Sequence, residues 1–509
     1  MRFCPIVATV TYCFWTQLTW AQVKPSERPV RKITADTAVT EALKNNLSIA
    51  LTRVQRDMVA YDLQAAYGVY DPTFSITASH SDANSVSQFN SGSGVNQIGS
   101  TSQYDSVQQS ISGYAPTGLR YNVGVSFAHS FGDRGATSFD DYTARVGVFQ
   151  LDQPLLRNLW IDSNRATLKI SKLNRSASNL DLEYQVMTVV RAVYRAYYDL
   201  IYSEEQVKIS LSAHELAAQL ARDIKREVEV GKRAPLEERQ AESQSQTEYG
   251  NYIEAVQNRN TVENRLKDLM TNRYKEAYES RIEPAEKLLP VGRDVDLQES
   301  WKNGLALRPD FRRKFLETEM RGVVLRFAKN QMFPGLDLFG TYARNGLDSG
   351  GPFNDATLEG AFHDIRRNSQ PSRSIGVVLS VPFALQRERG NLHKARAARE
   401  QVLLQLAQTE QSVLVGIDDA VGAVGGSLIR IKVRRLAREA AEEALSAEQK
   451  KLANGVVAPS EVLRKQQDLT RARSQEVQAI LDYNQALSEL EFQDGTILHR
   501  NNIEIQPAK

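Results

Sequence analysis

The chain has 509 residues, 24% of them charged, with a formal net charge of +2 at pH 7. Such near-neutrality argues against a dedicated nucleic-acid surface, which needs a strongly basic face. Both cysteines, Cys4 and Cys13, fall in an N-terminal stretch with Arg2, an apolar run from Ile6 to Trp15 and a small-x-small site at Thr19-Trp-Ala21. Residues 1–21 read as a secretory signal cut after Ala21, leaving an exported chain without thiols and with no cysteine to lipidate at the cleavage point. No run of eighteen apolar residues follows, so any membrane crossing must be made by strands.

After a short Pro-containing entry (24–29), Thr37 to Tyr67 reads as one helix with an apolar stripe of Ala42, Leu43, Leu47, Ala50, Leu51 and Val54, stopped by Asp71-Pro72. Phe74, Ile76 and Ala78 then alternate with Thr73, Ser75, Thr77 and Ser79, which is the period of a strand with one apolar face. A Ser/Gly/Asn-rich loop (81–102), a weakly strand-like stretch (103–113) and the turn Ala115-Pro-Thr-Gly118 follow. Tyr121 to Phe131 alternates cleanly, and Ala144, Val146 and Val148 make a further strand before Gln153-Pro154.

From Leu155 to Val230 there is neither Gly nor Pro, and a continuous helix of about 76 residues would be roughly 115 Å long. Its apolar residues step by four and three: Val189, Val193, Ala196, Leu200, then Ser203 and Val207. That is a coiled-coil seam with one small polar interruption. The turn Gly231 to Pro235 ends it, Gly supplying a positive φ and Pro a first helical turn; a second arm runs to about Met270. The second half opens near Asp296. Leu305-Ala-Leu-Arg-Pro-Asp-Phe311 starts a helix ending at Phe333-Pro334, followed by strands at Leu336 to Tyr342 and Ile375 to Val381, a loop (344–373) between them, and a second hairpin over 386–494.

The two halves are copies. Val413, Ile417, Ala420, Val424, Ser427 and Ile431 repeat the first seam at an offset of 224, down to the serine, and Gly455 to Pro459 repeats the turn. Coincidence of seam and tip marks an internal duplication. The first repeat is 22–295, with its long hairpin at 155–270 and a connector at 271–295; the second is 296–495, with a tail at 496–509. Only the first holds an excess of 34 residues between its strands, so 89–131 reads as an added β-hairpin or an enlarged loop.

With four family-like strands per chain, or six counting the insertion, one chain cannot close a membrane barrel, and unpaired strand edges cannot face lipid. Three chains closing a twelve-stranded barrel, continued by a long helical tube, is the simplest expectation. The Leu-Arg-Pro-Asp-Phe start, Ala-Lys-x-x-x-Phe-Pro at Ala328 to Pro334, the paired strands closing at Pro and the duplicated Gly-x-x-x-Pro tips resemble the outer-membrane efflux protein family typified by TolC. The resemblance spans roughly 35–495. It implies an α+β membrane protein: a homotrimer in outer-membrane lipid with a coiled-coil tunnel through the periplasm. It also implies docking to a periplasmic adaptor and an inner-membrane pump, export of small molecules or polypeptides, no cofactor and no chemistry. In the family the hairpin tips meet the adaptor and close the entrance, which carries over to Gly231, Pro235, Gly455 and Pro459. Glu237 and Glu461 sit at equivalent places beside them. Either they form threefold carboxylate rings that focus cations, or they only favour the helix dipole. Arg233 and Arg464 are the basic residues within reach of a latch.

Other features weigh little. Asp348-Ser-Gly-Gly-Pro352 resembles a protease nucleophile segment but lacks partners, and six scattered histidines include no pair at metal spacing. The basic group from Arg430 to Arg438 reads as a solvated helical face. Tyr194, Tyr197, Tyr198 and Tyr202 read as packing between helices, with a solute-contacting belt as the alternative. Gly416, Gly422, Gly425 and Gly426 read as points of close helix approach. A coiled-coil adhesin or scaffold and a periplasmic adaptor are the competing classes; neither needs a two-fold repeat with strand pairs inserted at matching points.

Overall fold

The computed structural model describes residues 28–503, apart from 86–87, 91, 93–94, 98, 135–136, 291, 352–354 and 368–369. The expected signal segment 1–21 and the end of the C-terminal tail lie outside the described residues.

The chain opens with β1 (Val30–Ile33), α1 (Ala35–Asn45) and α2 (Leu47–Tyr67), then β2 (Thr73–Asn84), β3 (Gln88–Asn90), β4 (Val95–Gln97), β5 (Ser100–Tyr114), β6 (Arg120–Arg134) and β7 (Thr137–Pro154). The first long hairpin is α3 (Ser163–Glu229) and α4 (Pro235–Met270), followed by α5 (Tyr274–Tyr278) and β8 (Arg281–Pro284). The second half holds α6 (Leu297–Leu307), α7 (Pro309–Asn330), β9 (Gly335–Ser349), α8 (Leu358–Arg367), β10 (Gln370–Ser380), α9 (Gln386–Ala453), α10 (Pro459–Gln493) and α11 (Ile497–Arg500).

Two expected helices are broken, for different reasons. Asn46 ends α1 and caps α2, accepting from the Ser48 and Ile49 amides while its Nδ2 donates to the Leu269 carbonyl. Between α6 and α7 no side chain caps the backbone; Arg308 is extended (ψ 120°) ahead of Pro309, which opens α7. The long helix begins at Ser163, not Leu155: Asp162 caps it through the Arg165 amide, and Asn158, at φ 68°, is held by the Asn330 side chain. The seams are buried as expected except at Val207, which is half-buried: Val189, Val193, Ala196 and Leu200 fall in one cluster and Val413, Ile417, Ala420, Val424 and Ile431 in the other, with Ser203 and Ser427 also buried.

The helices form four columns. Each half stacks a short and a long helix beside its continuous one, so α2 and α4 flank α3, and α7 and α10 flank α9; α3 also packs on α7 and α10. This leaves α9 open along one side of the protomer and α2 with α4 open along the other. An 18-residue window of α9 is apolar enough to cross a membrane, which amends the expectation that no helix is. In this fold its seam is spent on α10 and on Trp301 and Leu305 of α6.

The strands form one antiparallel sheet in the order β10-β9-β7-β6-β5-β2. The added segment is therefore not a loose loop. It is the β5–β6 hairpin, from Ser100 to Arg134 and not 89–131, inserted between β2 and β7 and paired on both sides. Of the two counts expected per chain, four strands or six with the added segment, the sheet has six. The expected loop 344–373 is also largely ordered, as the ends of β9 and β10 with α8 between them.

Candidate functional site

The register assigns every strand residue to a face. Phe74, Ile76 and Ala78 of β2 lie level with Ile111, Gln109 and Val107 of β5, and those with Val123, Val125 and Phe127 of β6. The same face continues through Val146 and Val148 of β7, Leu336 and Leu338 of β9, and Ile375, Val377 and Leu379 of β10. The opposite face carries Ser75, Thr77, Ser79, Ser106, Gln108, Ser110, Asn122, Gly124, Ser126, Thr143 and Thr341. An apolar outer face and a small, hydroxyl-rich inner one is the alternation of a strand between lipid and a water-filled lumen. The insertion obeys it without a break, and its turn at Gly118 (φ 87°) sits against Asp162 and Arg165 at the base of α3.

The edge strands β2 and β10 lack a neighbour on one side, and the apolar residues on both are exposed, Ile375 at 81% and Phe74 at 61%. Each edge continues into an open helix face on the same side of the protomer. Next to β2, α2 exposes Leu47, Leu51, Val54, Met58 and Tyr61, a four-three stripe with nothing on it. Next to β10, α9 exposes Leu404, Val415, Ile429, Val433 and Leu436. Gly422 and Gly425 have nothing within contact of a Cβ, and Gly416 and Gly426 meet only side-chain ends. Close helix approach at these glycines is thus not realised within one chain.

The tips repeat atom for atom in their capping. The Gly231 amide donates to the Val228 carbonyl at 2.9 Å and that of Lys232 to Glu227 at 2.8 Å; Gly455 donates to Leu452 at 2.9 Å and Val456 to Lys451 at 3.0 Å. With φ of 73° and 70°, Gly231 and Gly455 close two Schellman motifs, and Pro235 and Pro459 open the return helices. Glu237 is bound at 3.1 Å by Arg233, which also pairs with Glu227; Glu461 is bound at 2.6 Å by Arg464. Neither carboxylate stands alone. The bond to Glu227 and the further one to Glu237 raise the Arg233 pKa, so this guanidinium is committed within its own tip.

Between wall and tips lies a polar lock that sequence reasoning missed. Parallel pairing of β1 with β8 lays Ile282 against α4. There Glu263 accepts the Ile282 amide (2.9 Å) and pairs with Lys267 (2.8 Å) and with Arg259, which also reaches Glu204 (3.0 Å) and the Ile282 carbonyl. Arg259, Glu263 and Lys267 are at most 3% exposed. Burial pushes the Glu263 carboxyl up, but the Lys267 bond, the Ile282 amide and the two cations outweigh it and hold the group below the usual carboxylate range. Nearby, the Tyr194 and Tyr197 rings are buried, and the Tyr197 hydroxyl donates to the Ile33 carbonyl at 3.1 Å. Burial pushes the Tyr197 pKa up to about 12. These two tyrosines pack the junction and do not form a belt open to solute.

The described residues hold no group of His, Cys, Asp or Glu able to bind a metal. Asp348 is occupied at the start of α8, accepting from Thr357; Pro352 lies outside the described residues. Arg434 binds Gln475, and Arg435 and Arg438 bind Glu476, joining α9 to α10, while Arg438 also pairs with Glu442 of its own helix.

An amphipathic up-and-down sheet with open edges, rooted in duplicated coiled-coil hairpins, is the architecture of a channel spanning an outer membrane and reaching into the periplasm. The sequence profile of the outer membrane efflux protein family matches residues 115–272 and 302–496, and the chain belongs to that family. It is a channel protein of the outer membrane, not an enzyme. Among solved structures it is similar to the Campylobacter jejuni CmeC outer membrane channel (16% identity, 98% of this chain and 94% of that one, TM-score 0.64). It is also similar to the outer membrane protein VceC of Vibrio cholerae (14%, 91% and 96%, TM-score 0.67) and to the open state of the Neisseria gonorrhoeae MtrE outer membrane channel (16%, 91% and 89%, TM-score 0.63). No curated protein matches the sequence.

Proposed function

We propose that three copies form the passive outer-membrane duct of a tripartite efflux or type I secretion system. Small molecules or polypeptides pass from an inner-membrane pump and its periplasmic adaptor to the outside. The observation that carries the reading is the pairing of open edges: β2 with α2 on one side, β10 with α9 on the other. A head-to-tail ring satisfies both at once, covering the apolar stripes and the α9 glycines while leaving no strand edge in lipid.

Six strands per chain make this an eighteen-stranded wall, not the expected twelve. Strands about 4.8 Å apart and tilted by about 40° give a girth of roughly 110 Å for eighteen, against roughly 75 Å for twelve. Twelve helix columns spaced about 10 Å apart give roughly 120 Å. The insertion supports the reading because it brings the barrel to the width of its tunnel. Adaptor docking is assigned to Gly231, Pro235, Gly455 and Pro459. Since Glu237 and Glu461 each hold an arginine of their own tip, the rings at the entrance are rings of ion pairs, and their first role is to fix the tips.

Electron microscopy of the detergent-extracted protein tests the assembly. Hollow threefold rods over about 100 Å long with a belted end are expected; monomers or solid rods would sink the duct and return the adhesin or adaptor reading.

A further inference from the structure

The wall carries one element that the duct does not need. Helix α8 lies across the outward, apolar face of the sheet, away from the periplasmic roots of the strands. Ala361 and Ile365 are buried in a cluster with Ala144, Phe127, Tyr142 and Val146, and the Phe362 ring lies tilted against that of Phe127, 5.3 Å between centroids. Gly346 makes the seat: a Cβ there would stand 2.0 Å from the Ala361 carbonyl. Leu358 and Phe362 remain about 40% exposed along the helix.

Its far end gathers positive charge. Arg366 and Arg367 close α8, and Arg344 lies two residues from Gly346 on the same strand face. Arg344 stands opposite Pro371, and Arg373 opposite Tyr342, so these two arginines are diagonal neighbours on that face, about 7–8 Å apart. All four are exposed, and none of their side chains has an ion pair or hydrogen bond among the described residues. The nearby carboxylates are engaged elsewhere: Asp348 by Thr357, Asp364 by the Leu347 amide, Asp140 by His129. Four uncommitted guanidiniums next to apolar side chains, on the lipid side of a membrane wall, call for an anion that also has a hydrocarbon part.

We propose that Arg344, Arg366, Arg367 and Arg373, with the exposed edge of α8, form a binding site for a phosphorylated lipid headgroup of the outer leaflet. The guanidiniums take the phosphate oxygens, and Leu358 and Phe362 lie along the first carbons of the acyl chains.

The test uses the full-length protein in detergent and a fluorescent diphosphorylated lipid A. The wild type should bind it at least tenfold more tightly than the same lipid with its phosphates removed. Arg344→Gln/Arg366→Gln/Arg367→Gln/Arg373→Gln should lose at least tenfold in affinity, while Arg366→Lys/Arg367→Lys keeps most of it. If the fourfold variant does not assemble, Arg366→Gln/Arg367→Gln, on the solvent-exposed end of α8, should still lose at least threefold. Equal binding of dephosphorylated lipid, or unchanged binding by these variants, would overturn the proposal. Full displacement by millimolar inorganic phosphate would show a free-anion site and overturn the lipid assignment.

Discussion

Glu263→Gln keeps the shape of the buried lock and removes its negative charge. Arg259 retains Glu204, so the group left uncompensated is the Lys267 ammonium, whose side chain is 1% exposed and whose other contact is the Ser280 carbonyl. Breaking a buried pair by removing one partner costs about 3–5 kcal/mol, and the surviving Arg259–Glu204 bond puts this case near about 3 kcal/mol. At about 2.1 cal/mol/K per residue, the unfolding entropy of a chain this long is roughly 1 kcal/mol/K, so the thermal midpoint should fall by about 3 °C. The local effect is sharper, because the Ile282 amide binds Glu263 directly: exchange at β8 and β1 should accelerate while the α3 seam stays protected. Adding Lys267→Met should restore most of the loss, since the orphaned charge goes with it. The sign with pH follows from the depressed carboxyl. Its contribution is present above the unfolded pKa of about 4.3 and is lost as pH falls through the lower folded value, so wild type and Glu263→Gln should converge in acid, below about pH 4. Circular dichroism melts with hydrogen exchange check this. Unchanged exchange at Ile282, or no rescue by Lys267→Met, would refute the argument.

Gly231→Ala and Gly455→Ala each force an L-residue into the left-handed region, and should loosen their tips by about 1 kcal/mol, seen as faster proteolysis there with the wall unaffected. Excising the β5–β6 hairpin brings β2 beside β7, and should yield trimers with a narrower barrel and a smaller polymer cut-off in planar bilayers; an unchanged cut-off would remove the insertion from the wall. Met58→Asp, within the exposed α2 stripe, should abolish trimers on sizing columns while leaving monomer helicity intact. Tyr197→Phe should cost about 1 kcal/mol through the lost bond to Ile33, without altering conductance.

The seams, the tips and the strand faces were legible because each is local. A four-three or two-residue period states which side of an element is apolar, and Gly231 and Gly455 need only their own helix to set their φ. The match between the two seams and the two tips was legible for the same reason, since it is a relation between two stretches of sequence. What escaped depends on residues meeting from afar. Nothing near Asn46 shows that Leu269 will take its amide, and the Leu155 start fails on a contact with Asn330. The spacing of Arg259, Glu263 and Lys267 is that of an ordinary solvated stripe, and only the arrival of β8 buries it. The alternation of 121–131 is the same in a rim loop as in a wall; pairing with both β5 and β7 decides which. Periodicity is written along the chain, and it dictates which faces must be hidden. What hides them is settled in space, because hydrogen bonds and burial belong to pairs of segments that lie far apart in the chain.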